Sequence, residues 1–598
     1  MESDLGRWII KKDIIGNGIF NIYVGITCFF YSAIFAGSVL GFIGLYKPIY
    51  VFSLVFILTL LLFIVLSRTN AAAGRQIPQR KNTNKRALSE YVVYAVAILI
   101  IVLFILIPIV RWPESIAGDW FSWDAGKYHF PKAVEMYRSG SANDMTISYG
   151  EYPFGYESLL SFCLLVSGDA TLFGWMHALI NLFFILSLWL LAKRYTKIKS
   201  SFLLLLIALV ILSNFFYQFL NIWQIFQSEV YTVGKNDLLL AASILSILFF
   251  YPYPKTGGFD MRAMLPTGIA GMIAVSVKPN AVYIMAPLWI FLGGKIIWEV
   301  IKNWGKESRT HLLFYLISSS LMVPGVIWLL RNMILNGQVF SDSILEASKW
   351  SIASNLTNPL FYEYVPKTLY IIIGLSLMMV LGSIKKFPQY RWQAGTLLLL
   401  ATGFVFTPFS AFFPRADAPA LINWRFGQAM LAYVFIIVLL LVGDFLGKIN
   451  FSSKIKKIAG HLYLPFLLLI AGGVIWRLSP VLERKPENAI ILRDQFRESI
   501  GVDGYHSAYD YVQKNVRDST VWVENGLPYY VYGAGYTNTV SREHSADYVV
   551  VIKTDWFGGG GEYGGMEIPT YFDPEEWQKY YSVVYEDSQG IVFARKIK

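Results

Sequence analysis

The chain has 598 residues, 55% of them hydrophobic and only 15% charged, with a mean hydropathy of +0.48. Soluble globular proteins carry about 25% charged residues, and apolar runs of about 18 or more, long enough to span a hydrocarbon core, recur along most of this sequence. The formal charge of +11 does not point to nucleic acid, because Lys and Arg cluster in short loops between apolar runs, as the positive-inside rule expects of a polytopic membrane protein.

In chain order, the pattern predicts about thirteen spans, at roughly 19–44, 48–67, 90–111, 171–192, 201–217, 234–252, 265–279, 281–298, 312–330, 367–384, 392–411, 427–446 and 461–477. The first is no cleavable signal: it is long, lacks a small-residue cleavage site and is followed at once by a second span. The basic loop "SRTNAAAGRQIPQRKNTNKR" belongs in the cytoplasm, with the N-terminus on the same side. Alternation then puts "KRYTKIK", "YPYPKTGGFDMRA", "EVIKNWGKESRTH", "IKKFPQYR" and "GKINFSSKIKKIAGH" there as well, nearly all rich in Lys and Arg. The opposite face receives the loop from Arg111 to Tyr156, the aromatic loop before Asp237, the loop from Arg331 to Lys367 and the C-terminal tail. "YESLLSFCLLVSG" is too short to cross upright and is expected to be re-entrant or interfacial; a crossing at 156–168 would invert every downstream loop. Cys28 and Cys163 lie in apolar stretches and read as small buried hydrophobes.

Hydropathy collapses near residue 480, where a small extracytoplasmic α/β domain is expected at 479–598. "GYHSAYDYVQKNV" reads as an amphipathic helix, "STVWVE" and "ADYVVVIKT" as strands, "PEEWQKYYS" as a helix and "YSVVYEDSQGIVFARK" as a closing hairpin. "GGGGEYGG" lacks the setting of a phosphate loop and reads as a mobile loop. The remaining organisation is expected to be 1–89, two additional N-terminal spans with a basic loop, and 90–478, the catalytic membrane domain with its outer loop 112–156.

The chemistry gathers on the outer face. "RWPESIAGDWFSWDAGKYHFPKAVEMYRSG" follows directly on the third span. Pro131 fits the first turn of a helix and Gly140 its left-handed end, with Phe130, Val134 and Tyr137 forming a stripe along the membrane surface. Asp124, just before that helix, is placed to accept a proton from a hydroxyl, with Asp119, Glu151 and His129 as titratable neighbours and Tyr128 beside them. Lys235, Lys278, Arg331, Arg415 and Arg425 stand at outer ends against the prevailing charge bias, accompanied by Asn236, Asp237, Asn280 and Asn332. One such cation is ordinarily a snorkelling side chain; five around one face suit a lipid phosphate at headgroup depth. A divalent cation is left open, because no His/Cys/carboxylate cluster has ligand spacing.

Carboxylates, cations at phosphate depth and aromatic rings suggest one reaction. A polyprenyl-phosphate sugar is held by its phosphate, an Asp deprotonates the acceptor, and the acceptor oxygen displaces the lipid phosphate. "WDAGKYHFPKA", "YPFGYESLLSF", "GKNDLLLAASIL", "GIAGMIAVSVKPNA" and "WLLRNMILNGQVF" resemble segments of the GT-C superfamily of membrane glycosyltransferases, in particular relatives of the dolichyl-phosphate-mannose–protein mannosyltransferases. The resemblance covers about residues 90–450. It implies a GT-C-like polytopic fold and a role for Asp124 as catalytic base, with Arg331 and Arg425 near the donor phosphate and a glycan, lipid or protein as acceptor. Two departures stand out: two spans precede the family's usual first helix, and no Asp-Asp, Asp-Glu or Asp-x-Asp pair is present. A glycan polymerase or ligase is a competing enzyme reading. A transporter or flippase for lipid-linked glycans would instead need ionisable groups at mid-membrane and symmetric broken helices. An inactive scaffold is the third alternative.

Overall fold

The computed structural model describes residues 14–74, 88–118, 124–147, 149–196, 198–215, 233–252, 263–340, 351–357, 390–408, 424–448, 507–524, 526–541, 545–552, 579–587 and 590–596, with short pieces between 345 and 382 and residue 472. Its helices are α1 (Ile14–Phe42), α2 (Pro48–Gly74), α3 (Leu88–Gly118), α4 (Phe130–Ser139), α5 (Gly155–Ser167), α6 (Phe173–Tyr195), α7 (Ser200–Phe215), α8 (Asp237–Phe250), α9 (Met264–Val277), α10 (Asn280–Lys302), α11 (Lys306–Met322), α12 (Ile327–Asn336), α13 (Arg391–Phe406), α14 (Gln428–Lys448) and α15 (Ser507–Asn515). Eleven of the thirteen expected spans fall on these helices, while 367–384 and 461–477 lie wholly or mostly outside the described residues. Among the described residues, 6 helical stretches suffice by length and composition to cross a membrane, among them 306–336, which joins α11 to α12 through a short 3₁₀ turn. α5 has 13 residues, about 20 Å at 1.5 Å per residue, which is short of a hydrocarbon core of about 30 Å.

The first helix packs against helices far along the chain. Tyr23 of α1 stacks on Phe183 of α6 and Phe250 of α8 at 5.7 and 5.8 Å, and the Tyr31 hydroxyl donates to the Leu321 carbonyl. Of the best α1 window 67% is buried, against 17% for α2, so α1 is part of the core and α2 faces outward. Aromatic burial on one side of α1 gives it this place, and the run of Leu and Ile around α2 suits lipid on most sides. Small residues let helices approach: a Cβ on Gly37 would fall 2.1 Å from Ser158 of α5, and one on Gly268 2.4 Å from Ser318 of α11. At the centre lies α8, with all 14 residues buried.

Several polar contacts join helix-end segments to one another. Arg194 donates to the carbonyls of Phe249 and Tyr251, and Tyr390 pairs with Asp444; each joins segments assigned to the cytoplasmic side. Tyr46 N–H donates to the Gly140 carbonyl, and the Asn143 amide to that of Phe42, joining segments assigned to the other side.

Beyond the bundle, β1 (Thr520–Glu524), β2 (Thr539–Val540), β3 (Tyr548–Ile552), β4 (Tyr581–Glu586) and β5 (Gly590–Arg595) form one sheet in the order β2-β1-β3-β5-β4. β1 runs parallel to β2 and β3, and β5 antiparallel to β3 and β4. Alternation sorts its faces: Val550, Ile552 and Val592 pack with Tyr509 of α15, while Val549, Phe593 and Trp522 pack on the opposite side. The expected helix 507–515, the strands and the closing hairpin are all present. "PEEWQKYYS" is overtaken at its end by β4, from Tyr581, and the rest before residue 579 lies outside the described residues, as does "GGGGEYGG".

Candidate active site

The segment carrying Asp124 leads into a π-turn, Ala125–His129, continuous with α4. Such single wide turns are rare and gather at functional sites. Pro131 lies in the first turn of α4, and Gly140 closes it at φ +73, as the sequence predicts. α4 differs from the expected surface helix: Phe130 and Val134 are fully buried, and the C-terminal domain covers the helix. Lys127 donates to the Gly526 carbonyl at 3.1 Å, Tyr532 to that of Pro131, and Arg138 to the Thr537 carbonyl and the Thr539 hydroxyl. Burial pushes the Glu135 carboxyl upward against the pull of Arg138.

Two lysine–aspartate pairs stand side by side at this end of the bundle. Lys235 Nζ is 2.5 Å from Asp124 Oδ2, and Lys278 Nζ is 2.5 Å from Asp237 Oδ1. Asp124 is the more open carboxylate, its side chain 17% exposed against 1% for Asp237. Asp237 opens α8, where a negative charge also suits the helix dipole. Asn236 and Asn280 fix the backbone: their amides donate to the carbonyls of Val277 and Pro408 at 3.0 and 3.1 Å. Lys278 further lies 4.8 Å above the Phe426 ring. Gly234, at φ +93, brings the Lys235 segment against the π-turn; a Cβ there would sit 2.2 Å from the Ala125 Cβ.

Beneath this, His129 is buried in a charge cluster with Lys132 and Glu157, two residues the sequence does not mark out. His129 Nδ1 is 2.8 Å from Glu157 Oε1, and Lys132 Nζ is 3.7 Å from the same oxygen. Lys132 also donates to the carbonyls of Tyr149, Tyr152 and Pro153, holding Tyr149 at its left-handed φ of +56. Burial lowers Lys132 to about 8, with Glu157 pulling the other way, and burial also lowers His129. A lone Glu in the first turn of "YESLLSFCLLVSG" was the available signal, since a carboxylate in an apolar segment needs a partner.

The remaining expected residues divide. Tyr128 packs on Tyr149 at 5.0 Å and on His129 at 4.1 Å, close to Asp124. Arg331 does not reach toward a phosphate: it is 0% exposed, and its guanidinium donates to the carbonyls of Ala142, Gly150 and Tyr152 and to Asn332 Oδ1. The Asn332 amide donates to the carbonyls of Glu151 and Val339. This pair clamps the outer loop, and a planar fork meeting three carbonyls suits Arg rather than Lys. Glu151 contributes its carbonyl to that clamp, with its side chain half-buried. Arg425 lies in the 3₁₀ turn Trp424–Gly427, one residue before Phe426, and its side chain is outside the described residues, as are Asp119 and Arg415. Among the described residues no group of three or more His, Cys, Asp or Glu side chains can hold a metal ion.

No protein-family model and no curated protein sequence matches the chain. Two solved structures of ArnT from Cupriavidus metallidurans are similar to it. The one bound to undecaprenyl phosphate is 14% identical with a TM-score of 0.44, covering 85% of this chain and 98% of its own. The one in the apo state is 15% identical with a TM-score of 0.41, covering 82% of this chain and 97% of its own.

Proposed function

We propose that the chain is a GT-C-like membrane glycosyltransferase that moves a sugar from a polyprenyl-phosphate donor to an acceptor hydroxyl on the extracytoplasmic face of the cytoplasmic membrane. The observation that carries the proposal is the Asp124–Lys235 contact of 2.5 Å at the outer end of the bundle, with the carboxylate the more open partner. Asp124 takes the proton of the acceptor hydroxyl as its oxygen bonds to the anomeric carbon. The bond from that carbon to the phosphate oxygen breaks on the opposite side, so the configuration inverts. The phosphate leaves with the electron pair, and the negative charge growing on it is met by Lys235 and Lys278, two cations in contact with Asp124 and Asp237.

The reading is supported by charge placement: Lys235 contacts Asp124, Lys278 contacts Asp237 two residues further along, and Asn236 and Asn280 tie these two helix junctions to the carbonyls of Val277 and Pro408. Arg425, on the turn beside Phe426, is proposed as a third cation for the phosphate. Asp119 is kept as the second carboxylate. No step is assigned to a metal.

The test is transfer from a panel of radiolabelled polyprenyl-phosphate sugars to native lipid and glycan extract, by membranes carrying wild type or Asp124→Asn at matched levels. Wild-type transfer that falls about 10²–10⁴-fold in the variant is the expected result, the range for loss of a general base. An undiminished variant rate would move the base elsewhere. No transfer by wild type across the panel would refute the enzymatic reading and favour a lipid-linked glycan transporter.

A further inference from the structure

The two halves of the Asp124–Lys235 pair come from segments about a hundred residues apart, yet both are tied to consecutive residues at the start of α5. The Tyr156 hydroxyl, fully buried, accepts the Gly234 N–H at 3.1 Å, one residue before Lys235. Glu157 Oε1 faces His129 Nδ1 at 2.8 Å, and His129 is the last residue of the π-turn that Asp124 opens. The His129 ring also meets the Tyr156 ring edge to face at 5.2 Å, so the two ties are in contact. Gly234 and Ala125 close the gap from above, with no room for a Cβ between them.

Other features mark this as more than core packing. Glu157 is 1% exposed in an apolar helix, where a leucine would pack without desolvating a carboxylate. Its Oε2 has no hydrogen-bond partner among the described residues, so its polar contacts are concentrated on the oxygen that faces His129 and Lys132. Lys132, next in contact, is anchored on three carbonyls of the outer loop, which fixes where its charge stands relative to Glu157.

We infer that Tyr156 and Glu157 are positioning residues that act together as a jig: Tyr156 sets Lys235, and Glu157, through His129, sets Asp124. The α5 first turn thereby fixes the separation of base and ammonium on which transfer depends. This rests on the reading of Asp124 as the base, and the jig is also open to a test without activity.

The variants are Tyr156→Phe, which removes one oxygen and keeps the ring, and Glu157→Gln, which keeps shape and removes charge. Amide hydrogen exchange of 125–130 and 233–236 in the full-length protein gives the activity-free readout. Each variant is expected to speed exchange about tenfold or more in the segment it holds, Tyr156→Phe at 233–236 and Glu157→Gln at 125–130. In transfer assays each is expected to lower kcat about 10- to 100-fold with donor KM within about threefold, since a displaced catalytic group costs rate rather than binding. In an Asp124→Asn background Glu157→Gln should not lower the rate further, because it acts through Asp124, and in a Lys235→Met background neither should Tyr156→Phe, which acts through Lys235. Unchanged exchange in Tyr156→Phe, which preserves packing, would overturn the jig whatever the activity. A Glu157→Gln loss that adds fully to that of Asp124→Asn would overturn its link to the base. Faster exchange as expected, with Asp124→Asn as active as wild type, would uphold the jig and refute the reading of Asp124.

Discussion

Replacing Arg331 by Met tests whether this cation holds the protein or its ligand. The change keeps much of the apolar stem and deletes the guanidinium, leaving the carbonyls of Ala142, Gly150 and Tyr152 without the donors that reach them at 2.8, 2.6 and 3.2 Å. A buried polar group left unpaired costs about 1–3 kcal/mol. The Tyr152 carbonyl keeps Lys132, so two carbonyls at the low end, with loss of the contact over the Phe154 ring at 4.8 Å, give about 2–3 kcal/mol. At about 1.4 kcal/mol per factor of ten, opening of the outer loop becomes about 30- to 100-fold more frequent. Amide exchange of peptides covering 142–153 reads this directly, and donor KM should stay within a few-fold because Arg331 has no exposed surface. Arg331→Lys should recover less than half of the loss, since one ammonium cannot serve three divergent carbonyls and Asn332 at once. A variant with unchanged loop exchange and a tenfold higher donor KM would refute the clamp and return Arg331 to the phosphate.

Other consequences follow from the same geometry. Gly234→Ala puts a Cβ 2.2 Å from that of Ala125 at a φ of +93; the left-handed backbone costs about 1–2 kcal/mol and the overlap about 1–3. Adding Ala125→Gly should restore the overlap part but not the backbone part, seen as partial recovery of thermal stability and transfer. Lys132 supplies a pH signature: burial holds it near 8 in the folded protein against an ordinary 10.5. Between these values the unfolded chain binds the extra proton, so this residue makes stability rise with pH across that window. Lys132→Met should lose that component of the slope in thermal unfolding followed from pH 7.5 to 10.5, and an identical slope would contradict it. Arg138→Met removes the contacts to Thr537 and Thr539 and should raise protease access between α4 and the C-terminal domain, while a neutral result would leave Lys127 and Tyr532 as the working joints.

What was legible in the sequence was what composition and periodicity encode. Greasy runs mark the helices, and Pro131 with Gly140 frames α4. Charges are excluded from lipid, so Lys and Arg in alternate loops sort the loops into two groups, and the contacts of Tyr46 with Gly140 and of Tyr390 with Asp444 each fall within one group. What is not legible depends on partners distant in sequence. Nothing local says that α1 lies in the core rather than in front of it; that follows from Phe183 and Phe250, which meet Tyr23 from far along the chain. Arg331 looked like a ligand-binding cation because the carbonyls that satisfy it lie about 180 residues earlier, and a sequence shows donors more readily than the backbone acceptors they find.

The same asymmetry explains how the site is assembled. Lys235 and Lys278 were found because a cation near lipid is conspicuous, and each proves to be matched by an aspartate, so the outer end carries neutral pairs rather than a bare positive patch. Such pairing keeps partly buried charges affordable while no substrate is bound. An arriving phosphate would compete with Asp124 and Asp237 for the two ammonium groups, and the carboxylate it frees first should be the more open one. Asp124, at 17% exposure against 1% for Asp237, is that carboxylate, so donor binding itself would release the base for the acceptor hydroxyl. Lys235→Met then separates two roles. If the lysine only neutralised Asp124, its loss would spare transfer; if it also meets the departing phosphate, kcat should fall by about 10²–10³-fold even though the base is intact.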